Sequence, residues 1–292
     1  MSLPKPLVSV ICLCFNQGRF VADAISSVLS QTYANIELII VDDGSTDNSK
    51  EIIQQVIKNN PSIRFLSLTE NIGNCKAFNQ GLALAKGTYI IDLAADDMLY
   101  PERIEKGLKA FQTSGPDYGV NFSDAEWISE SGEELYLHSA RYPHNNIPQG
   151  NIYKNLITTF FICPPSMMFR REVMNYLGGY DENLSYEDFD FWIRSSRKFL
   201  YCYTPEVLVK KRIVQNSLSE KQFRRSSPQL YTTYTVCEKI MALNQSKEEK
   251  GALNKRICYE LISSLRLGDF LLAIKYLLLL SRNITMPLKP AA

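Results

Sequence analysis

The chain has 292 residues, 45% apolar and 22% charged, with 32 Lys and Arg against 31 Asp and Glu. That suits one large α/β domain with an appendage, or two smaller domains, and a formal charge of +1 gives no electrostatic reason to expect nucleic acid as a partner. Seven cysteines, an odd number with no CxxC pair, argue against a disulfide framework or a structural zinc site and for free thiols in a reducing compartment.

Met1-Ser2-Leu3-Pro4 runs directly into a strand pattern with no long apolar segment before it, which predicts a cytoplasmic protein. From Val8 to Asp124 short β-rich runs alternate with amphipathic helical ones, the pattern of a parallel sheet covered on both faces. Strands are expected at Val8–Phe15, Glu37–Asp42, Ile63–Leu68, Tyr89–Leu93 and Tyr118–Phe122. Helices are expected at about Arg19–Ser30, Asn48–Asn59, Lys76–Ala85 and Pro101–Gln112, the last with proline in its first turn. Cys12 and Cys14 share a strand face as small buried hydrophobes.

Beyond Asp124 the pattern loosens, and Glu126–Tyr142 reads as an excursion or hairpin around Ser131-Gly132, with His138 and His144 alone in a polar stretch. Ser166–Arg170 reads as a strand, Arg171–Leu177 as a short helix stopped by Gly178-Gly179, and Tyr186–Lys198 as a helix. From about Ser226 the pattern is helical and ends in an unstructured-looking tail, Pro287–Ala292. Phe270–Leu280 carries Lys275 and is shorter than the roughly 20 residues a bilayer span needs, so it reads as a packing helix, with membrane-surface attachment as the other reading.

In open α/β sheets ligands bind beyond the carboxyl ends of the strands. Polar clusters sit at four consecutive expected ends: Phe15-Asn16-Gln17, Asp42-Asp43-Gly44-Ser45, Thr69-Glu70-Asn71 and Asp96-Asp97. Turns are polar anyway, so one cluster means little, but four on one edge argue for a site. Asp42–Asp47 reads either as a turn capping the next helix, with Asn48 and Glu51 spaced as a capping box, or as a carboxylate that accepts the imide N–H of a uracil base. Asp96-Asp97 reads either as a solvated turn before a helix or as the holder of Mg²⁺ or Mn²⁺ on a diphosphate.

Asp92 lies four residues before Asp96, about 13 Å along an extended strand, so it is expected to bond a neighbouring loop instead of sharing the ion. On the Tyr186–Lys198 helix, spacing puts Asp188 on one face with Phe191 and Trp192, and Glu187 and Asp190 on a face with Arg194. Asp188 is then a helix-start acid or a general base for a sugar hydroxyl. The first strand is followed by Phe15-Asn16-Gln17-Gly18 and not by GxGxxG, which sets aside a nicotinamide dehydrogenase. Nucleotidyl transfer would use similar carboxylates and metal.

Val8-Ser9-Val10-Ile11, Phe15-Asn16, Leu29–Tyr33, Ile40–Asp47, Asn71-Ile72-Gly73, Asn79-Gln80-Gly81, Asp96-Asp97 through Pro101, Gly178–Glu182 and the Glu187-Asp188 helix start resemble the family 2 glycosyltransferases over about Val8 to Ser219. The resemblance implies an α/β GT-A fold, a Rossmann-like, mostly parallel central sheet with flanking helices, plus a helical C-terminal extension. It divides the chain into a 1–220 transferase domain, with 8–124 on the nucleotide-sugar side and 125–220 on the acceptor side, and an extension at 221–292.

It further implies a UDP-sugar donor, Mn²⁺ or Mg²⁺, and inversion by direct displacement onto a glycan or lipid-linked acceptor hydroxyl, in polysaccharide or surface-glycan biosynthesis. The setting expected from the sequence itself is the cytoplasm, with peripheral contact at the inner face of the membrane through the C-terminal helices as the other reading. By position, Asp43 binds the base in a pocket lined by Leu13 and Phe15, Asn71 and Arg212 join the donor-binding residues, Asp96 and Asp97 contact diphosphate and metal, and Asp188 is the catalytic base.

Two positions depart from the pattern. Ala94 stands where many members have a leading Asp, and Val214 replaces the histidine of an arginine-histidine loop within Lys211–Ser219. Arg212, with Lys211, either closes over the diphosphate or belongs to a solvated basic run. A nucleotide-sugar-binding or scaffold protein of the same fold, without catalysis, is the alternative function.

Overall fold

The computed structural model describes residues 5–142, 146–215 and 224–288. His144, the end of the expected arginine-histidine loop at 216–219 and the last residues of the tail lie outside them. The chain forms two compact units, one of Met1–Gly150, Phe161–Glu182 and Phe199–Val214, the other of Asn151–Phe160, Asn183–Lys198 and Gln215–Ala292.

The first unit carries the whole described sheet. Its strands are β1 (Val8–Cys14), β2 (Ile36–Asp42), β3 (Arg64–Ser67), β4 (Tyr89–Ala94), β5 (Met98–Leu99), β6 (Tyr118–Ile128), β7 (Glu134–Leu137), β8 (Met168–Arg170) and β9 (Leu200–Arg212). The order is β3-β2-β1-β4-β8-β6-β9-β5, with β7 paired to β6. β3, β2, β1 and β4 are parallel neighbours, as the alternating sequence predicts; β8 runs antiparallel between β4 and β6.

Every residue of β1 is buried, which is why it reads as an unbroken apolar run. Against it pack α1 (Val21–Leu29), through Val21, Ala24, Ile25 and Val28 at helical spacing, and the neighbouring α2 (Ser49–Lys58), α3 (Asn74–Leu84) and α4 (Arg103–Ser114) complete the layers. A Cβ at Gly81 would lie 2.7 Å from Ile11, so glycine there lets α3 sit close on the sheet. α4 starts later than expected: Pro101 precedes its cap, and its carbonyl accepts from Thr32 N at 2.9 Å.

The second half departs more from the sequence reading. β6 continues six residues past Phe122 and turns at Ser129–Glu133, with Gly132 at φ +91°, into β7; this is the expected hairpin. β9 is a strand that the sequence pattern does not announce. Pro205 interrupts it, and its register against β6 shifts between Thr204, opposite Ser123, and Val207, opposite Asp124, so the residue without an N–H sits outside the ladder. α6 (Arg171–Leu177) ends on Gly178 in the left-handed region, as predicted.

In the second unit lie α5 (Tyr153–Thr158), α7 (Asp188–Ser195), α8 (Pro228–Leu243), α9 (Lys247–Arg266) and α10 (Phe270–Thr285). α7 begins two residues later than expected because Ser185 N and the Tyr186 hydroxyl bond sideways to Thr232 and Thr233 of α8. The buried Asp190 carboxylate takes both Arg194 and Lys239 at 2.6 Å, fixing α7 to α8. Ser246 and Asp269 cap α9 and α10 by accepting from Glu249 N and Leu272 N. No disulfide joins the cysteines among the described residues; six of them are buried and Cys258 is exposed on α9. Among the described residues no helix is long and apolar enough to cross a membrane.

Candidate functional site at the strand ends

Register brings the polar clusters together. Cys14 lies opposite Asp42, Leu13 opposite both Val41 and Ala94, and Asp42 opposite Ser67, so β1, β2, β3 and β4 end level with one another. The segments that follow, Phe15–Gly18, Asp43–Ser49, Leu68–Gly73 and Ala95–Asp97, therefore leave the sheet at the same edge.

Three of these segments are stitched together by side chains. Asn16, at φ +54°, accepts from Thr46 N at 2.8 Å through its amide oxygen, and its own N–H donates to Ser45 Oγ at 2.9 Å. Asp47 accepts from Gly18 N and Ser49 N, each at 3.0 Å, so Asp47 and not the Asn48/Glu51 capping box holds the start of α2; Asn48 makes no side-chain cap bond. Burial raises the Asp47 carboxyl, but the Ser49 hydroxyl and these N–H groups outweigh it and leave it low. Gly44 has φ +69°, and a Cβ there would come within 2.4 Å of the Glu70 carbonyl carbon, so that close crossing of two loops requires glycine.

Asp43 is buried and spends one oxygen on each of two backbone groups, Ile72 N at 2.8 Å and Gly73 N at 3.1 Å. It therefore shapes the loop that carries the exposed Asn71 into α3, and its remaining lone pairs stay available to a base. Burial holds its carboxyl above the usual range, opposed by those two N–H bonds. Leu13 is buried beneath, and the Phe15 ring is 43% exposed at the strand end, free to lie against a planar ligand. Asp42 is buried and its Oδ1 has no hydrogen-bond partner among the described residues.

At the second acidic pair, Asp97 is 1% exposed and accepts from Arg212 N at 2.8 Å, while Lys211 Nζ stands 3.6 Å from its Oδ2. That oxygen is buried without a hydrogen bond. Asp96 is half-buried, and among the described residues no side chain donates to its carboxylate. Burial raises both acids, with Lys211 opposing it in each and each other's proximity adding to it for Asp97. No group of three or more His, Cys, Asp or Glu suited to a metal occurs among the described residues. A hard divalent cation at a nucleotide site needs only one or two carboxylates, the rest coming from phosphate and water, so Asp96 and the orphaned Asp97 Oδ2 fit that donor set.

Arg212 is held by carbonyl groups of the protein itself. It is buried, donating through Nε to the Asp96 carbonyl at 3.1 Å and through Nη1 to the Ser129 and Glu130 carbonyls at 3.3 and 2.9 Å, with its guanidinium 4.6 Å from the centre of the Phe20 ring. It locks the end of β9 and the hairpin tip to the acidic pair. The half-buried Lys211 is the neighbouring cation that faces Asp97, with Trp127 on its other side, 5.7 Å from the ring centre.

Asp92, as strand geometry predicts, turns elsewhere and accepts from the Tyr180 hydroxyl at 3.0 Å. Tyr180 belongs to the Gly178–Glu182 motif, whose backbone Asn79 holds at both ends: its Nδ2 donates to Tyr180 O and its Oδ1 accepts from Tyr180 N, each at 2.9 Å. Two motifs that look separate in sequence are one clip. His138 was not legible as an interior residue. It is buried, accepts from Trp127 Nε1 at 3.3 Å through Nδ1, and stacks on that indole; burial lowers its pKa. Asp188 opens α7 in the second unit and is half-buried, at the N-terminal end expected for it.

Residues 9–178 match the profile of the family described as Glycosyl transferase family 2. The sequence is 31% identical over 214 residues to an uncharacterized glycosyltransferase of Rickettsia typhi, covering 72% of this chain and 64% of that protein, so the chain spans just under two thirds of that relative. It is 27% identical over 260 residues to TuaG of Bacillus subtilis, a glycosyltransferase named for teichuronic acid biosynthesis, covering 87% of this chain and 98% of TuaG. S. aureus TarS 1-349 in complex with UDP-GlcNAc shares the fold at a TM-score of 0.72 and 14% identity, over 95% of this chain and 81% of that one. The mannosyltransferase PcManGT from Pyrobaculum calidifontis, in complex with GDP-Man and Mn²⁺, does so at 0.64 and 14%, over 96% and 88%. With a family match over more than half its length on a sheet whose level strand ends carry the motifs, this chain belongs to glycosyl transferase family 2 and has the GT-A fold.

Proposed function

We propose that the chain transfers a sugar, with inversion, from a UDP-sugar to a hydroxyl of a glycan or lipid-linked acceptor in polysaccharide or surface-glycan assembly. The observation that carries this reading is the common edge at which Leu13 and Phe15, Asp43, and Asp96 with Asp97 end three neighbouring strands. TarS with UDP-GlcNAc and PcManGT with GDP-Man support a nucleotide-sugar donor on this fold, and TuaG supports the polysaccharide setting.

In this mechanism Phe15 packs on the base and Asp43 accepts its N–H, while Asn71 is held beside them by the loop Asp43 anchors. Asp96, with Asp97 Oδ2, would hold Mn²⁺ or Mg²⁺, which when bound neutralises the charge growing on the departing diphosphate. Lys211 adds a cation next to the pair. Asp188 takes the proton of the acceptor hydroxyl as it attacks the anomeric carbon, in one displacement with no covalent enzyme intermediate.

The test is turnover with a panel of UDP- and GDP-sugars, with and without Mn²⁺, read as nucleotide diphosphate released. Asp188→Asn should lower turnover by about 10² to 10⁴ with donor affinity unchanged. Full turnover by that variant would remove Asp188 from the role of base. Tight UDP binding with no turnover on any acceptor would favour the non-catalytic nucleotide-sugar-binding alternative.

A further inference from the structure

The last described helix is largely apolar, and only one face of it is buried. Leu272, Ala273, Tyr276 and Leu279 of α10 are in the interior of the second unit. On the opposite side Phe270, Leu271, Ile274, Leu277, Leu278 and Ile284 are each between 55 and 64% exposed. Their spacing, with steps of three and four residues, makes them one stripe along the helix. An exposed apolar stripe of this length marks an interaction surface.

Charge around the stripe is one-sided. α10 contains Lys275 and Arg282 and no acidic residue, and α9 adds exposed Lys255 and Arg266, the latter at the turn into α10. Asp269 at that turn is buried in its capping role, and Glu260 is buried against Arg256. Over residues 247–292 there are eight Lys and Arg against four Asp and Glu, in a chain whose formal charge is +1. α9 also leaves Tyr259, Ile262 and Leu265 exposed towards its end.

We infer that the α10 stripe docks on an anionic membrane surface, the helix lying in the plane of the headgroups. An exposed apolar face with basic residues beside it and none acidic on the helix is the pattern of an interfacial amphipathic helix. Sixteen residues make a rod of about 24 Å, shorter than the roughly 30 Å hydrocarbon layer, so the helix lies on the bilayer and does not span it. The rim also argues against a second copy, since a two-fold contact through this stripe would bring the same cations towards each other, and like charges at an interface are unfavourable. Of the basic groups, Arg282 also pairs with Glu238 at 3.3 Å, with most of its side chain still exposed, and Lys275 lies over the Tyr231 and Tyr234 rings. The surface would serve an acceptor carried on lipid, but it stands on α10 alone and does not need the donor reading.

The experiment is flotation of the full chain with vesicles of phosphatidylcholine alone or with a quarter phosphatidylglycerol, at low and high salt. The protein should float with the anionic vesicles, less so in high salt. The exposed triple variant Leu271→Ser, Ile274→Ser, Leu278→Ser should bind them about tenfold or more weakly, and Lys255→Glu with Arg266→Glu should lose the preference for phosphatidylglycerol. The UDP-induced thermal shift should persist in both, which separates a failure of docking from a failure of donor binding. The inference is overturned if the wild type floats with neither vesicle, if the triple variant binds as well as the wild type, or if sedimentation shows a dimer that the triple variant abolishes.

Discussion

The two Asp-Asp pairs are the same dipeptide after strands that flank β1 on either side, yet their carboxylates are used differently. After β2, the buried Asp42 keeps an orphaned oxygen and Asp43 binds the backbone of Ile72 and Gly73. After β4, the second residue again binds distant backbone, Asp97 to Arg212 N, but among the described residues no side chain donates to the first, Asp96. In each pair one member holds another segment of chain, and under the proposed function the lone pairs that remain serve the donor. Under that proposal Asp43 both anchors the loop and meets the base, whereas in the second pair Asp97 anchors and Asp96 makes most of the ligand contact.

Variants can test that division, beginning with the largest expected loss of stability. Asp97→Ala should cost about 3 kcal/mol in urea unfolding, because it leaves Arg212 N without its acceptor and Lys211 without its nearest anion in a buried place, and metal-dependent UDP binding should vanish with it. Unchanged stability would mean that Asp97 anchors nothing. Asp43→Ala should cost about 2 kcal/mol and weaken UDP binding, with Asp43→Asn recovering part of the stability because an amide oxygen still accepts from one of the two N–H groups. If Asn and Ala are equally damaging, the geometry of the tie matters less than its charge.

Asp96→Asn should stay within about 0.5 kcal/mol of the wild type while the Mn²⁺-dependent part of UDP affinity falls about tenfold or more, read by thermal shift with and without metal. A large stability loss there would erase the contrast between the pairs. The smallest effect is in pH. Burial raises the Asp43 carboxyl, so over the window from about pH 4 upward the folded state holds a proton that the unfolded state has released. Its contribution is therefore present at low pH and lost as pH rises through the raised folded value. Melting of wild type and Asp43→Asn at about pH 4 and pH 6 should show the wild type losing ground by about a degree; parallel curves would show that the carboxyl titrates alike in both states.

β1, β2 and β4 are legible because they are largely buried and rich in Val, Ile and Leu, while the half-buried β3 is read from the alternation of strand and helix patterns around it. β9 escapes notice because Pro205 breaks its pattern, and β6 is cut short in the reading because Ser123, Asp124 and Glu126 look like a loop. In the fold all three are buried, and the two acids are satisfied from afar: Asp124 by Ser139, Glu126 by the Tyr100 hydroxyl. Arg212 shows the same limit. The carbonyls its guanidinium bonds lie 82 to 116 residues away, so no local spacing separates an anchoring arginine from one that meets a diphosphate. Asp92 could be excluded from the metal site in advance because strand geometry alone decides the distance. Asn183–Lys198, with Asp188, belongs to the same compact unit as the C-terminal helices, a grouping of segments distant in sequence that no local pattern announces.

Cys258 gives the unmodified protein a built-in reporter. With the other six thiols buried, a maleimide dye added to the native chain should label one position, on the helix that carries Tyr259 and Ile262. An environment-sensitive fluorophore there would shift to the blue as vesicles arrive, and the later appearance of six more reactive thiols would time the opening of the core, so docking and unfolding could be followed in one cuvette without a single mutation.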